Sequence, residues 1–384
     1  MVSDVRHSCR RAYPRNQEPV RRVRLALQRI GLTARFCLHQ VARAQIDWYR
    51  LPSPRLRRKD GIGQPALTKM DNAKSPRAAM RRPDGVDRGR ISETIVYSTT
   101  QDGLDLKGAL IRPPHEEPES RPLLVWVHTR QQGFAEPEYV GIGRRLAATG
   151  HHFLTVETRG HDFGAWYRTP EGPTLQGSAW EHFSDCVLDL DAWVGAAAAM
   201  GYQRVVLIGH GFGGAKCLHF QAQRQLDEVA ALVLASSGAS VRDKLPPGLE
   251  DRARAMVADG RGQDLLPFNT TGQHYASTVS AQYYLARSIM RAELYGNSDI
   301  PPAIARIRCP VIAWYGTQEA RKNRDVHAFL NWLRESAVLA SATDFAMIEG
   351  LDFFYKGTER IIAQHLATRL ARLGLGAAPS RLSA

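Results

Sequence analysis

The clearest chemical signal in this sequence is the glycine-rich run at residues 209–214 (GHGFGG), which separates a short apolar stretch from a stretch with helical spacing. Gly209, Gly211 and Gly214 match the G-x-G-x-x-G pattern of dinucleotide-binding loops, whose backbone N–H groups hold a pyrophosphate at a helix N-terminus. Such a site also needs an acidic residue at the end of the next strand to bind a ribose. The next apolar stretch ends in residues 234–237 (LASS) without one, which weakens the dinucleotide interpretation.

The apolar pattern from residue 91 onward predicts the elements that position this turn. A hairpin is expected at 91–98 and 104–111, and the short apolar runs that follow are typical of strands buried on both faces. The further strands are predicted at 123–127, 153–156, 205–208, 231–234, 311–314 and 345–348. The helices are predicted at about 138–149, 182–199, 212–225, 323–335 and 357–373. This order predicts an α/β fold with a mostly parallel eight-stranded sheet, helices on both faces, and a helical cap insertion at about 241–300.

The glycine run also fits the pattern G-x-S-x-G, with Gly211 where serine belongs, and here the chain resembles the α/β-hydrolase superfamily over about residues 92–373. The order of elements fits that fold, because the turn follows the fifth strand and the cap precedes the last two. Four further segments match: 128–130 resembles an oxyanion loop, 157–162 resembles Asp-x-Arg-Gly-His-Gly, 316–319 holds the usual acid position, and 349–354 resembles Gly-x-Asp-His-x-Phe. The cap segment is similar to that of a group of uncharacterised α/β-hydrolases.

Two of the three catalytic positions that the resemblance implies are substituted. Gly211 occupies the nucleophile position and has no side chain, whereas the elbow normally exposes a serine hydroxyl. Phe353 occupies the position of the histidine base and cannot transfer a proton. The acid position is retained as Glu319, but no histidine lies in the loop directly after the last predicted strand, since His365 falls inside the predicted helix at 357–373. The sequence therefore predicts a degenerate triad and the absence of ordinary serine-hydrolase chemistry.

Several remaining groups predict a binding pocket beside the turn. The backbone N–H of Phe212 at the helix N-terminus, with an N–H near Thr129, would form an oxyanion hole for an oxyanion or carboxylate. His128 and His210 are the nearest groups that titrate close to neutral pH, and Asp162 follows the fourth strand. Structural roles stay open for these three: a packed elbow residue for His210, a loop hydrogen bond for His128, and bonds to backbone N–H groups for Asp162.

The charge of the chain is concentrated at its N-terminal end. The net charge is +13, but residues 1–90 hold 22 of the 51 basic and 7 of the 38 acidic side chains, so the remainder is close to neutral. We expect residues 1–90 to be a poorly ordered basic extension of a domain at 91–384. A basic amphipathic helix from Val20 to Val41, a transit peptide, and a translation start at Met70 or Met80 remain open.

The cysteine pattern and the apolar runs limit the remaining function classes. The five cysteines include no C-x-x-C pair, so we expect no metal and no cofactor, and a reducing cytoplasmic location. No apolar run is long enough for a spanning helix, and no secretory signal is evident.

Three functions are consistent with this sequence. The first is a protein without hydrolase activity that binds a small carbonyl or carboxylate compound or serves as a scaffold. The second is an enzyme without a serine nucleophile, such as an esterase, lactonase, lyase or cyclase, that combines the oxyanion hole with His210, His128 or Asp162 as acid or base. The third is a protein that docks on an anionic surface or a protein partner through residues 1–90, with no specific nucleic acid predicted.

Overall fold

The sheet in the computed structural model is built from apolar runs that lie between layers of helices. The structure describes residues 91–113, 121–238, 248–267, 278–320 and 325–376, all within the unit Met80–Ala384 of the chain. The basic extension at 1–90, its predicted amphipathic helix and the candidate start sites lie outside these residues.

The main sheet has eight strands, and a separate hairpin has two. In chain order the strands are β1 (Ser92–Thr99), β2 (Asp105–Arg112), β3 (Leu123–Val127), β4 (His152–Val156), β5 (Ala165–Thr169), β6 (Gly172–Gln176), β7 (Val205–His210), β8 (Val229–Ala235), β9 (Val311–Gly316) and β10 (Thr343–Ile348). The main sheet has the order β1-β2-β4-β3-β7-β8-β9-β10, in which β2 is antiparallel to both neighbours and the other pairs are parallel. This confirms the predicted mostly parallel eight-stranded sheet.

The described helices cover both faces of this sheet. They are α1 (Pro137–Ala147), α2 (Cys186–Ala199), α3 (Phe212–Arg224), α4 (Leu249–Ala258), α5 (Ala281–Tyr295), α6 (Thr317–Ala320), α7 (Val326–Ser336) and α8 (Glu359–Arg372). Alternate residues of β3 divide between two apolar cores, since Val125 packs with Trp193 of α2 on one face and Trp126 packs with Tyr139 of α1 on the other. Burial on both faces explains why the strand reads as a continuous apolar run rather than as an alternating one.

Two features differ from the sequence-based prediction. The hairpin β5–β6 was missed, although its residues alternate between partly buried and exposed positions around the turn at Pro170-Glu171. The helix expected to begin at residue 182 begins at Cys186, because a 3₁₀ turn at Phe183–Asp185 precedes it. Short strands and helix ends are the parts of a fold that local sequence patterns define least.

The helices α4 and α5 lie between β8 and β9 and share a small apolar core of their own. That core includes Met256 of α4, together with Tyr283 and Tyr284 of α5. Ser280 caps α5, because its hydroxyl accepts a hydrogen bond from the N–H of Tyr283. The N–H of Ser280 donates to the carbonyl of Ala179 at 2.9 Å, which attaches the start of α5 to the segment before α2.

Candidate functional site

The strand-to-helix turn between β7 and α3 has the tight geometry that the glycine run predicts. Gly211 has φ of 53° and ψ of −116°, a positive-φ backbone conformation that residues other than glycine rarely adopt. The flanking glycines allow close backbone packing: a Cβ on Gly209 would lie 2.3 Å from Gly214 Cα, and one on Gly213 would lie 2.4 Å from the carbonyl oxygen of Val127. The turn therefore retains the form of an elbow without a side chain at its apex.

The space in front of Gly211 is filled by two side chains from other parts of the chain. A Cβ on Gly211 would lie 2.1 Å from Thr129 Oγ1 and 2.9 Å from Phe353 Cζ. These distances are far below ordinary van der Waals contact, so a larger residue at 211 would have to displace both neighbours. The structure thus brings together Gly211, Thr129 and Phe353, as the sequence predicts, but packs them against one another.

Both backbone donors of the expected oxyanion hole are engaged within the protein. The N–H of Phe212 donates to Thr129 Oγ1 at 3.1 Å, and the N–H of Thr129 donates to the Tyr139 hydroxyl at 3.3 Å. The expectation that these two groups face an open pocket is therefore wrong for this conformation. The physical reason is that the Thr129 hydroxyl reaches the helix N-terminus, where it acts as a local acceptor for the N–H of Phe212.

His210 is an interior residue, and its expected titration near neutral pH is wrong. It is fully buried, and its Nε2 donates to the carbonyl oxygen of Phe353 at 2.8 Å, while its Nδ1 lies 2.7 Å from the Tyr139 hydroxyl. Its ring also lies 4.8 Å from the ring of Phe353 and 4.5 Å from that of Tyr355, measured between centroids. Burial lowers the pKa of His210 to about 3, so the imidazole is neutral at pH 7.

His128 is likewise a buried, neutral connector rather than an acid or base poised near pH 7. Its Nε2 accepts from the N–H of Thr158 at 3.1 Å, so its Nδ1 carries the proton that is donated to the carbonyl oxygen of Thr129 at 2.8 Å. Burial, reinforced by the charge of Lys216, lowers the pKa of His128 to about 3. The hydrogen bonds fix the loop after β3, which agrees with the structural alternative for this residue.

Glu319 is buried at the end of β9 and is engaged with the neighbouring strand. Its Oε1 accepts from the Ser236 hydroxyl at 2.6 Å and from the N–H of Gly316 at 2.8 Å. The Tyr355 hydroxyl donates to Ser236 Oγ at 2.7 Å and accepts from Trp314 Nε1 at 3.2 Å. In this arrangement the carboxylate links the ends of β8 and β9.

Asp162 faces solvent and forms a pair with the adjacent histidine. Its side chain is 67% exposed, and its carboxylate lies 2.9 Å from His161 Nδ1. His161 Nε2 contacts the Tyr167 hydroxyl of β5. The backbone of Asp162 links two loops, since its N–H donates to Gln132 and its carbonyl accepts from Ser178. The carboxylate itself therefore binds an imidazole rather than the backbone N–H groups that the sequence suggested.

A buried ion pair that the sequence analysis missed lies beside the elbow. Lys216 Nζ on α3 lies 2.6 Å from Glu181 Oε2 and donates to Thr158 Oγ1 at 2.8 Å. Burial alone would lower the pKa of Lys216, but the charge of Glu181 raises it above its usual value. The available signal was a lysine in the first turns of a helical segment whose other charged residue, Arg224, lies at its end, at a position that a core helix usually fills with apolar residues.

Neither a metal cluster nor a membrane-spanning helix is found in the part of the chain that the structure describes. Within residues 91–376, excluding the gaps given above, no three His, Cys, Asp or Glu side chains gather closely enough to hold a metal ion. Among the same residues, no helix combines the length and the apolar character that crossing a bilayer requires.

Comparison with known proteins agrees with this geometry. The model of the Alpha/beta hydrolase family matches residues 124–370, which is more than half of the chain. The chain belongs to the alpha/beta hydrolase family. A search of curated proteins finds no match.

Three solved structures illustrate the similarity in fold. DcsB in complex with its substrate analogue is 13% identical, with a TM-score of 0.55, covering 74% of this chain and 100% of that chain. A hypothetical protein from Pseudomonas aeruginosa is 12% identical, with a TM-score of 0.54, covering 76% of this chain and 96% of that chain. Est1E from Butyrivibrio proteoclasticus, with ferulic acid bound, is 16% identical, with a TM-score of 0.51, covering 72% of this chain and 98% of that chain. At these identities the similarity concerns the fold alone.

Proposed function

We propose that this alpha/beta hydrolase family member lacks ordinary serine-hydrolase activity and binds a small carbonyl or carboxylate compound. The observation that carries the proposal is the filled space at the elbow, where Thr129 Oγ1 lies 2.1 Å from the point at which a Cβ of residue 211 would stand. Serine at that point would be the nucleophile, and a histidine in place of Phe353 would be its base. We assign Gly211, Phe353 and Glu319 to the three triad-equivalent positions on this basis.

The packing around Gly211 supports the loss of acyl-transfer activity through changes at several positions, rather than through one substitution in an otherwise intact site. The Thr129 hydroxyl also accepts the hydrogen bond from the N–H of Phe212, which would otherwise stabilise a tetrahedral intermediate. His210 cannot replace the missing base, because both of its ring nitrogens are bonded within the core. Restoring hydrolysis therefore requires changes at three positions.

The test is a repair series assayed with a short activated ester. Gly211→Ser alone and Gly211→Ser with Phe353→His should remain inactive, because Thr129 still occupies the space for the new side chain. Adding Thr129→Gly removes the Oγ1 and Cβ atoms nearest to residue 211 and should give measurable turnover, since nucleophile and base act as a unit. The matched control carries Gly211→Ala with the other two changes, because it has the same packing but no hydroxyl.

Activity of Gly211→Ser alone equal to that of the triple variant would contradict the proposal, because another base would then serve the site. The folding of each variant is confirmed by circular dichroism and by thermal unfolding. Placing serine at a residue with φ of 53° is expected to cost about 1–3 kcal/mol of stability.

The paired His161 and Asp162 favour one alternative, an enzyme that uses water rather than a serine. The Asp162 carboxylate on Nδ1 orients the imidazole as it does in many general bases, and the Tyr167 hydroxyl that contacts Nε2 would have to move away for this nitrogen to accept a proton from water. In that case the unaltered protein would hydrolyse an activated ester without forming a covalent serine adduct. His161→Gln would abolish this turnover, whereas His182→Gln, at an exposed histidine, would leave it unchanged.

A further inference from the structure

On the cap side of the elbow, two arginines hold guanidinium groups that no carboxylate neutralises among the described residues. Arg287 lies on α5 and is only 7% exposed, and its Nη1 has no hydrogen-bond partner within the described part of the chain. Arg130 follows the loop residue Thr129, and its buried Nε also lacks a partner there. A buried, unpaired guanidinium is costly, so a cluster of this kind calls for an explanation.

An aromatic contact links Arg130 to α5. The Arg130 guanidinium stacks over the ring of Tyr283, with its Cζ 5.0 Å from the ring centroid. Tyr283 and Arg287 are four residues apart on α5 and therefore share one face of the helix. Arg130 Nη2 also donates to the carbonyl oxygen of Ser178 at 3.0 Å, which fixes its orientation from the other side. Two elements distant in sequence thus direct positive charge to the same region beside the elbow.

The unpartnered atoms of the two arginines are hydrogen-bond donors. Besides Arg130 Nε and Arg287 Nη1, the hydroxyls of Ser178 and Tyr284 are buried and have no partner within the described residues, and in the segment that carries Ser178 the acceptors Gln176 Oε1 and Glu181 Oε1 are also unpartnered there. Arginine nitrogens can only donate, and a hydroxyl can donate as well as accept. The missing partner of the two arginines is therefore an acceptor, and their charge favours an anion.

The electrostatics agree with this geometry. Burial, together with the positive charges of Arg130 and Arg291, lowers the pKa of Arg287. These cations repel one another in the structure as it stands. A bound anion would relieve both the desolvation cost and the repulsion.

We propose that Arg130 and Arg287 form an anion-binding site that holds the carboxylate or phosphate group of a small molecule between the loop after β3 and α5. The planar guanidinium fork matches either oxyanion in a bidentate manner. The inference deepens the proposed function, because it states which group of the ligand is recognised and by which residues.

The test measures binding of three probes by the full chain: benzoate, inorganic phosphate and neutral benzamide, titrated calorimetrically at constant ionic strength. Benzoate or phosphate is expected to bind, and the one that binds identifies the oxyanion. Benzamide, which has the shape of benzoate without its charge, is expected not to bind.

Arg287→Met should weaken the binding of the anion at least about tenfold, because it keeps much of the side-chain length and removes the charge. Arg254→Met is the matched control, since Arg254 is an exposed arginine of α4 in an ion pair with Glu250, and it should leave the affinity unchanged.

A second readout separates a binding role from a structural one. Without ligand, Arg287→Met should be at least as stable as the unaltered protein, because the substitution removes a buried charge without a partner. Thermal unfolding with and without the anion should show that the unaltered protein gains stability from the ligand and the variant does not. Equal responses of the two proteins to benzoate and phosphate, or no response by either, would overturn the site. That result would not affect the proposal that the protein lacks serine-hydrolase activity. Conversely, a covalent serine adduct would overturn the proposed lack of serine-hydrolase activity but would not affect the anion site.

Discussion

The region around Gly211 and the region around Arg287 differ in how their polar groups are satisfied. At the elbow, the N–H of Phe212 and both ring nitrogens of His210 are bonded to protein groups, and the imidazole is neutral. On the cap side, Arg130 and Arg287 carry charge, and each has a buried nitrogen without a partner in the described residues. Groups that are satisfied stabilise the fold, whereas unsatisfied ones cost stability until a ligand binds. Under the proposed function, the ligand therefore binds beside the elbow rather than at its apex.

The largest predicted effect comes from the buried ion pair that joins the two regions. Lys216 lies on the elbow helix, and its partner Glu181 lies in the segment that also carries Ser178. Lys216→Met should lower the free energy of unfolding by about 3–5 kcal/mol, because it leaves the Glu181 carboxylate buried and unpaired. Urea unfolding measures this loss. The double variant Lys216→Met with Glu181→Leu should recover most of it, and a loss of less than about 1 kcal/mol in the single variant would show that the pair contributes little.

The next effect is a pH dependence that arises at the elbow. The folded pKa of His210 is about 3, against a usual value of 6.5, so the unfolded state binds more protons between these limits. Stability from this residue is therefore fully present above pH 6.5 and is lost as the pH falls towards 3, at about 1.4 kcal/mol per pH unit. Urea unfolding across this range gives the slope of the free energy of unfolding against pH, and this slope should be smaller by that amount in His210→Gln than in the unaltered protein. Identical slopes in the two proteins would mean that His210 is protonated in the folded state.

Removing a satisfied bond at the elbow should have a smaller effect. Thr129→Val keeps the shape of the side chain but removes the acceptor of the Phe212 N–H, so the free energy of unfolding should fall by about 1–2 kcal/mol. Thr129→Ser keeps the hydroxyl and serves as the matched control, with a smaller loss expected. If Thr129→Val loses no more stability than Thr129→Ser, the hydrogen bond to the Phe212 N–H contributes no more than the methyl group that serine lacks.

The smallest effect is expected from deleting the basic extension, because both regions are built from residues after 91. A chain that begins at residue 85 should unfold cooperatively, with a Tm within about 5 °C of that of the full chain. Differential scanning calorimetry provides the comparison. A larger drop would indicate that the extension packs on the domain. Loss of binding to anionic vesicles on the same deletion would support the docking role considered for residues 1–90.

The sequence predicted the main sheet closely because its strands are buried on both faces and its helices are long and periodic. It also predicted that Gly211 and Phe353 share one site, and the structure brings them into contact, whereas their assignment to the nucleophile and base positions stays a prediction. It could not predict that the Thr129 hydroxyl fills the elbow, because that depends on the conformation of a loop more than 80 residues away along the chain. The pairing of Arg130 with α5 has the same origin: it is a contact between distant segments whose sequences give no sign of each other.

The most direct test of the account is labelling of the unaltered protein with a fluorophosphonate, followed by intact mass and peptide mapping. Fluorophosphonates modify an activated serine hydroxyl, and Gly211 has none. The account predicts no stoichiometric adduct on the unaltered protein, and an adduct at residue 211 in the triple variant with Gly211→Ser, Phe353→His and Thr129→Gly. A stoichiometric adduct on any serine of the unaltered protein, with Ser236 beside Glu319 as the first position to inspect, would contradict it.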